Sequence, residues 1–578
     1  MMRFVLAPFA LALLVGCAGG TADGGNETPG PGPTPTSTST APSVPSSTPP
    51  NTPGNPSTPP GTNDPPSTGN PPAEEPRAPA AELCGTSSVG KPMLRRLNRR
   101  ELVRSLEDVF PEAKGAWTAS LSADNLSTQG FDNNAAVLVV GKQTADEIAT
   151  TAASLAKAVT GNAFAQILPC SQSQADRACA ATYLDKYGKR LFRRPLTDEE
   201  RTRYLALFDQ AVSVADFETG IAYLTRALVQ SPHFLYRREV GTASGNRYRL
   251  TQHEIATALS YAFAGTTPSD DLLAKADRGE LDGPATLTAI AKELLTTSGQ
   301  EVMHHFMDAW LGYSRVSSMQ KTNVAEFTER RNEMVEETRR FIADVLAKGG
   351  GSRELLLAST TTPSKALASF YGFPAPSADF APVERPAGRG VGILAQGSLL
   401  AANAAPNSSS PTKRGLLVFK RFLCLEPPMV PANVPDIQEP RPGITTRQRY
   451  EEQHASGTCA NCHKMFDPIG FGFEQFDEVG RYRADENGLP IDTKSHVPFD
   501  GNVLFEFATL EELAQGLAEQ PRVHACVTDF ITEYVFGGAG RCLGETQRPG
   551  FVDGTVGFTD YFASLAGEPH FTERALSP

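Results

Sequence analysis

The segment Cys459-Ala460-Asn461-Cys462-His463 places two thiols three positions apart with an imidazole directly after the second. That spacing suits thioether bonds to the two vinyl groups of a haem, with the following histidine brought onto the iron. It points to one covalently held haem c, with Cys459 and Cys462 as attachment residues and His463 as axial ligand. Two alternatives stay open on the residues alone. His454, Cys459, Cys462 and His463 could make a four-ligand structural zinc set, although adjacent Cys462 and His463 are hard to turn onto one tetrahedral ion. A plain disulfide between Cys459 and Cys462 is the other.

A second axial ligand is less legible. Small cytochromes c usually take a Met downstream of the attachment motif, but Met465 is the last Met of the chain and lies two residues beyond His463, on the proximal side. The candidates are therefore Met429 upstream, His496, His524 and His454, or an open position. After the motif the chain runs Asp467-Pro468-Ile469-Gly470-Phe471-Gly472-Phe473. Pro468 fixes a torsion, Gly470 permits a tight turn, and Phe471 and Phe473 are candidates to shield a haem edge. Arg481 and Arg483 are candidates for haem propionates, because a guanidinium offers a carboxylate two parallel donors. The pair His304-His305 reads more simply as one core and one exposed histidine. The body shows no Ser/His/Asp arrangement, phosphate-binding Gly loop or H-E-x-x-H.

The elements that must position these groups are mainly helices. Asn98, Thr197, Thr251 and Thr509 are each followed three positions later by Glu and then by an apolar stripe, the signature of a capped helix start. A further helix is expected over 328–348, with Met334, Val335, Phe341, Ile342, Val345 and Leu346 inward and Gly349 after it, and Gly265 is placed to stop the helix that Thr251 begins. Strand signals are few. The best is a hairpin on Asn487-Gly488, with arms from Arg481 and to Asp492. Outside the haem motif and Cys17, six cysteines remain, enough for up to three disulfides, with Cys170 and Cys179 the local pair.

The first 17 residues combine Arg3, a short apolar run and Leu14-Val15-Gly16-Cys17. This is a signal peptide whose ending resembles a bacterial lipobox, making Cys17 the lipidated first residue of the mature chain. Ala18, where lipoproteins kept in the inner membrane carry Asp, points to the outer membrane. Residues 18–82 are Pro, Thr, Ser, Gly and Asn with almost no large apolar side chain, a disordered stalk with a mean span on the order of 45 Å. The 578 residues carry 53 Lys+Arg against 65 Asp+Glu, a net charge of -12. Such a balance disfavours phosphate backbones, so nucleic acid is not an expected partner.

Leu94-Arg95-Arg96-Leu97-Asn98-Arg99-Arg100-Glu101, Leu191-Phe192-Arg193-Arg194-Pro195-Leu196-Thr197, Ser231-Pro232-His233-Phe234-Leu235-Tyr236-Arg237, Ser410-Pro411-Thr412-Lys413-Arg414-Gly415 and the run from Cys459 to Asp477 occur in this order. The set resembles the exported planctomycete- and myxobacteria-type proteins made of five consecutive domains of unknown function around one C-x-x-C-H motif. The resemblance implies a mostly helical, haem-binding redox protein and carries over Cys459, Cys462 and His463, without a distal ligand. The expected organisation is a leader over 1–17, the stalk over 18–82, helical domains over 88–150, 165–240 and 245–375, a cytochrome c-like haem domain over 385–495 containing the short β-hairpin, and a C-terminal helical domain over 500–578. The expected function is one-electron transfer by a membrane-tethered haem-c protein, with a redox partner protein or a surface polymer as partner. A peroxidase- or oxidase-like haem enzyme with an open sixth position is the second reading. A surface binding or assembly protein with a structural metal centre is the third.

Overall fold

Asn98, Thr197 and Thr251 each accept the amide of the Glu three residues on, and that Glu accepts the amide of the cap in return. These reciprocal bonds satisfy first-turn donors that no helical carbonyl reaches. In the computed structural model, which describes residues 93–173, 175–429, 437–454, 456–538 and 546–575, they start the helices Arg99–Val109, Asp198–Val214 and Gln252–Phe263. Thr509 caps its helix too, but Glu512 reaches back to the amide of Ala508 instead. The expected 328–348 helix is Phe327–Ala347, with Met334, Phe341, Ile342 and Val345 buried and Val335 and Leu346 at the margin of the core. Gly265 and Gly349 follow their helices with φ of +69° and +71°, where a side chain would be strained.

Among the described residues, strands form five small antiparallel sheets. The predicted hairpin is there, with Asp485–Glu486 paired to Leu489–Pro490 and both Asn487 and Gly488 at positive φ. Its arms are shorter than expected, since Tyr482 makes only an isolated bridge to Phe476. Pairs such as Met93–Arg96 with Tyr236–Glu239 are too short for an alternating pattern to announce them.

The described residues form one compact unit. One apolar core is built from residues between Leu97 and Leu235 with Tyr261, and a larger one draws on residues from Leu250 to Phe571 together with Phe131. The strand Glu573–Ala575 pairs with Arg247–Arg249 and so ties the end of the chain to the start of the second core.

Buried arginines join the segments that carry the family resemblance. Arg95 and Arg237 face each other in the strand register, Arg237 lies 3.2 Å from Glu239 and 3.4 Å from Glu101, and Arg574 reaches Glu239 at 2.6 Å. Burial alone would raise the Glu239 carboxyl, but Arg95, Arg574 and Arg237 hold it well below the usual range. Arg193 sits at φ +59° and donates to the carbonyls of His233, Phe234 and Tyr236. A left-handed conformation costs a non-glycine residue roughly 1 kcal/mol, which these bonds offset. Arg414 donates to the carbonyls of Leu400, Phe473, Phe476 and Asp477.

Cys170 pairs with Cys179 as expected, and Cys424 pairs with Cys526 across 102 residues. Cys84, Cys542, the 1–17 leader with Cys17 and the 18–82 stalk lie outside the described residues. No helix among the described residues is long and apolar enough to cross a membrane. His304 and His305 are both half-buried, rather than one inside and one out, because Asp132 on a neighbouring loop bonds His305 Nε2 at 2.9 Å.

Candidate functional site

The haem-motif segment is the helix Gly457–His463, which puts Cys459 and Cys462 one turn apart on one face. Both thiols are free and half-buried, so the disulfide alternative is not what this backbone makes. His463 ends the helix. The chain then turns into Asp467–Phe471, where Pro468 occupies the first turn in which a missing N–H costs nothing.

Asp467 organises the site. Its Oδ2 lies 3.0 Å from His463 Nδ1 and 2.6 Å from His454 Nδ1, and its Oδ1 accepts from Thr412 Oγ1 at 2.7 Å. Burial pushes this carboxyl up, but the bonds from His454, His463 and Thr412 outweigh burial and hold it below its ordinary value. An ionised carboxylate only accepts, so each imidazole donates to it from Nδ1. The two rings stack with centroids 3.5 Å apart, Tyr450 stands edge-on to His454, and Phe466 stands edge-on to His463.

Two glycines allow this arrangement. A Cβ on Gly415 would lie 1.9 Å from the Phe466 carbonyl oxygen, and one on Gly470 would lie 1.9 Å from that of Pro411. The helices Pro411–Arg421 and Asp467–Phe471 therefore meet backbone to backbone, which is what brings Thr412 to Asp467 and His463. Gly470 was expected to serve a tight turn. It is helical instead, and its use is this close approach.

His454, His463 and Asp467 offer potential ligand atoms within 4.8 Å of one another. The four-ligand zinc alternative is not assembled, because the histidines gather on Asp467 rather than with Cys459 and Cys462. His454 stacks against His463 on the same carboxylate, so it stands beside His463 and not opposite it. His524 is buried, with Nδ1 on Ser352 Oγ at 2.6 Å and Nε2 on the Ala518 carbonyl at 2.9 Å, so both ring nitrogens are committed. His496 is half-buried on the strand Ser495–Phe499, and Met429 is 94% exposed.

Phe471, Phe473, Arg481 and Arg483 each have partners within the protein. Phe473 is in the main core, and Phe471 is buried beneath the guanidinium of Arg447. Arg481 bonds Asp477 at 2.9 Å, and Arg483 bonds Glu486 at 2.7 Å and Glu474 at 3.2 Å. The residues that sequence reasoning missed are Asp467 and Thr412. The i, i+4 spacing of His463 and Asp467 was the available signal for the first, and none existed for the second.

The donor set fits a haem c: two free thiols one turn apart and an imidazole held at Nδ1 by a carboxylate, which leaves Nε2 for a ligand. Comparison with known proteins gives four consecutive matches. Residues 95–161 match PSD3, a protein of unknown function (DUF1587), and 179–239 match PSD5, a protein of unknown function (DUF1595). Residues 250–373 match PSD4, a protein of unknown function (DUF1592), and 390–486, which include the whole C-x-x-C-H site, match PSCyt3, a protein of unknown function (DUF1588). No curated protein and no solved structure matches the chain. The chain thus carries four consecutive PSD/PSCyt domains, cytochrome-associated domains of the planctomycete type.

Proposed function

We propose that this chain is an exported, membrane-tethered haem-c protein that passes electrons one at a time. Cys459 and Cys462 hold the haem by adding their thiols across its vinyl groups, and His463 ligates it through Nε2. When bound, the haem supplies a one-electron iron couple. The protein's own residues do the rest. Asp467 fixes the His463 tautomer and ring orientation, Thr412 fixes Asp467, and Phe466 and Tyr450 keep the carboxylate and its two histidines out of bulk water. The observation that carries the reading is the Asp467–His463 bond beneath two free thiols in a C-x-x-C-H helix. We read residues 500–578 as the fifth domain of the array and Cys17 as the lipid anchor at the outer membrane, with the 18–82 stalk between anchor and body. The partner is a redox protein or a surface polymer.

Absorption spectra of the reduced full-length protein, with and without carbon monoxide, test the reading. A low-spin spectrum indifferent to the gas is the expected result. A high-spin, gas-binding haem would favour a peroxidase- or oxidase-like enzyme, and a protein with zinc and no haem would leave only an assembly role with a structural metal.

A further inference from the structure

Three of the sequence segments singled out above, those holding Leu94, Phe192 to Arg194 and His233 to Tyr236, converge on a cavity of about 580 Å³ that the haem site does not use. Its volume is that of a small-molecule site. Phe192, Val240 and Leu94 supply apolar lining, and Leu94 is 59% exposed although it borders this cavity. Basic groups lie among them, with Leu94 opposite Arg238 in the strand register and Arg194 over the Phe192 ring. Arg194 grips Glu200 with both arms at 2.7 and 2.8 Å, and its second terminal nitrogen lies 3.4 Å from His233 Nδ1.

Arg238 also lines the cavity, with its side chain 62% exposed. The one acid in the lining, Glu254, is turned toward the backbone: Oε1 accepts from the amides of Val240 and Gly241, and Oε2 from that of Thr251, while Arg238 Nε stands 3.5 Å away. Arg193, Arg194 and Arg238 against Glu254 and the Glu200 that Arg194 grips leave one positive charge in excess around the cavity, on a chain whose net charge is -12. A local reversal of sign in a concave, partly apolar site concentrates anions there. His233 is held below its ordinary value, by burial first, while Arg194, Arg203 and Arg238 outnumber Glu200 around it. It meets a ligand as a neutral imidazole.

We propose that this cavity binds a small organic carboxylate with an apolar body, its carboxylate at Arg238 and its body against Phe192 and Val240. A guanidinium supplies the paired donors that a carboxylate accepts, and Phe192 and Val240 supply apolar area that a bare inorganic anion would not use. The site stands independently of the haem reading, since none of its residues belongs to the C-x-x-C-H region.

Calorimetric titration of the full-length protein with benzoate, benzamide and acetate separates charge from body. Benzoate is expected to bind saturably, with neutral benzamide and small acetate each about tenfold weaker or more. Arg238→Gln should weaken benzoate by about tenfold, and Arg278→Gln, which alters an exposed arginine paired with Glu280, should leave it unchanged. Equal binding of benzoate and benzamide, undiminished binding by the Arg238 variant, or no benzoate heat up to tens of millimolar would each overturn the proposal.

Discussion

Asp467 is the residue on which the proposed iron site turns. Its carboxylate accepts from His463 and from His454. With the proposed haem on His463, that charge would favour the oxidised iron. Asp467→Asn should keep covalent haem but raise the midpoint potential by roughly 40 mV, on the order of 1 kcal/mol for one electron. Redox titration of the two proteins checks this, and equal potentials would show that Asp467 serves packing alone. Arg481 is already paired with Asp477 at 2.9 Å. Arg481→Gln should therefore leave the potential within about 10 mV, the size of a screened, distant charge, and a drop of tens of millivolts would return that arginine to the propionates. Cys459, Cys462 and His463 were legible because five adjacent residues define them. Asp467 was given no role because its partners, His454 and Thr412, come together only when two helices dock.

That docking depends on glycines, and the helices on caps, with different legibility. The capping boxes of Asn98, Thr197 and Thr251 involve residues three apart, so a linear reading sees both partners. Gly415 and Gly470 act on carbonyls of another segment, and nothing local distinguishes them from loop glycines. Gly415→Ala should cost roughly 1–3 kcal/mol, because a backbone oxygen 1.9 Å from the new Cβ cannot move aside as a side chain would. Denaturant unfolding measures that loss, and haem occupancy should fall with it. A stable, fully loaded variant would mean the two helices can separate without harm to the site. Glu200 gives a pH test at a cap. Its hydrogen bonds from Arg194, assisted by the Thr197 amide, lower its carboxyl from 4.5 to about 2. The folded value lies below the unfolded one, so the stabilisation is complete above about pH 4.5 and is lost as pH falls toward 2. Glu200→Gln should lose roughly 2 kcal/mol at neutral pH and flatten the acid limb of the stability curve between those values. An unchanged acid limb would assign the stability to other carboxylates.

Across the whole chain, the segments that identify the array turn out to be largely joints. Arg95, Arg193, Arg237 and Arg414 are buried and bind carbonyls or carboxylates of distant segments. A sequence reading takes such arginines for surface charges because their acceptors lie far along the chain. The same holds for Cys424 and Cys526, whose 102-residue separation hid a pairing that the nine-residue gap of Cys170 and Cys179 made easy to expect. The lipobox-like ending of the leader makes a lipid on Cys17 the proposed attachment. Cys17→Ser should move the protein from the membrane fraction to the soluble exported fraction, and retention in the membrane after a salt wash would argue for another anchor. The central claim is covalent haem at Cys459 and Cys462. Its most direct test is haem staining after denaturing electrophoresis, on full-length protein from a host with haem-attachment machinery, beside the Cys459→Ala/Cys462→Ala double variant. The account predicts a stained wild-type band carrying one haem per chain and an unstained variant. A wild-type band without haem, or a variant that still stains, would contradict it.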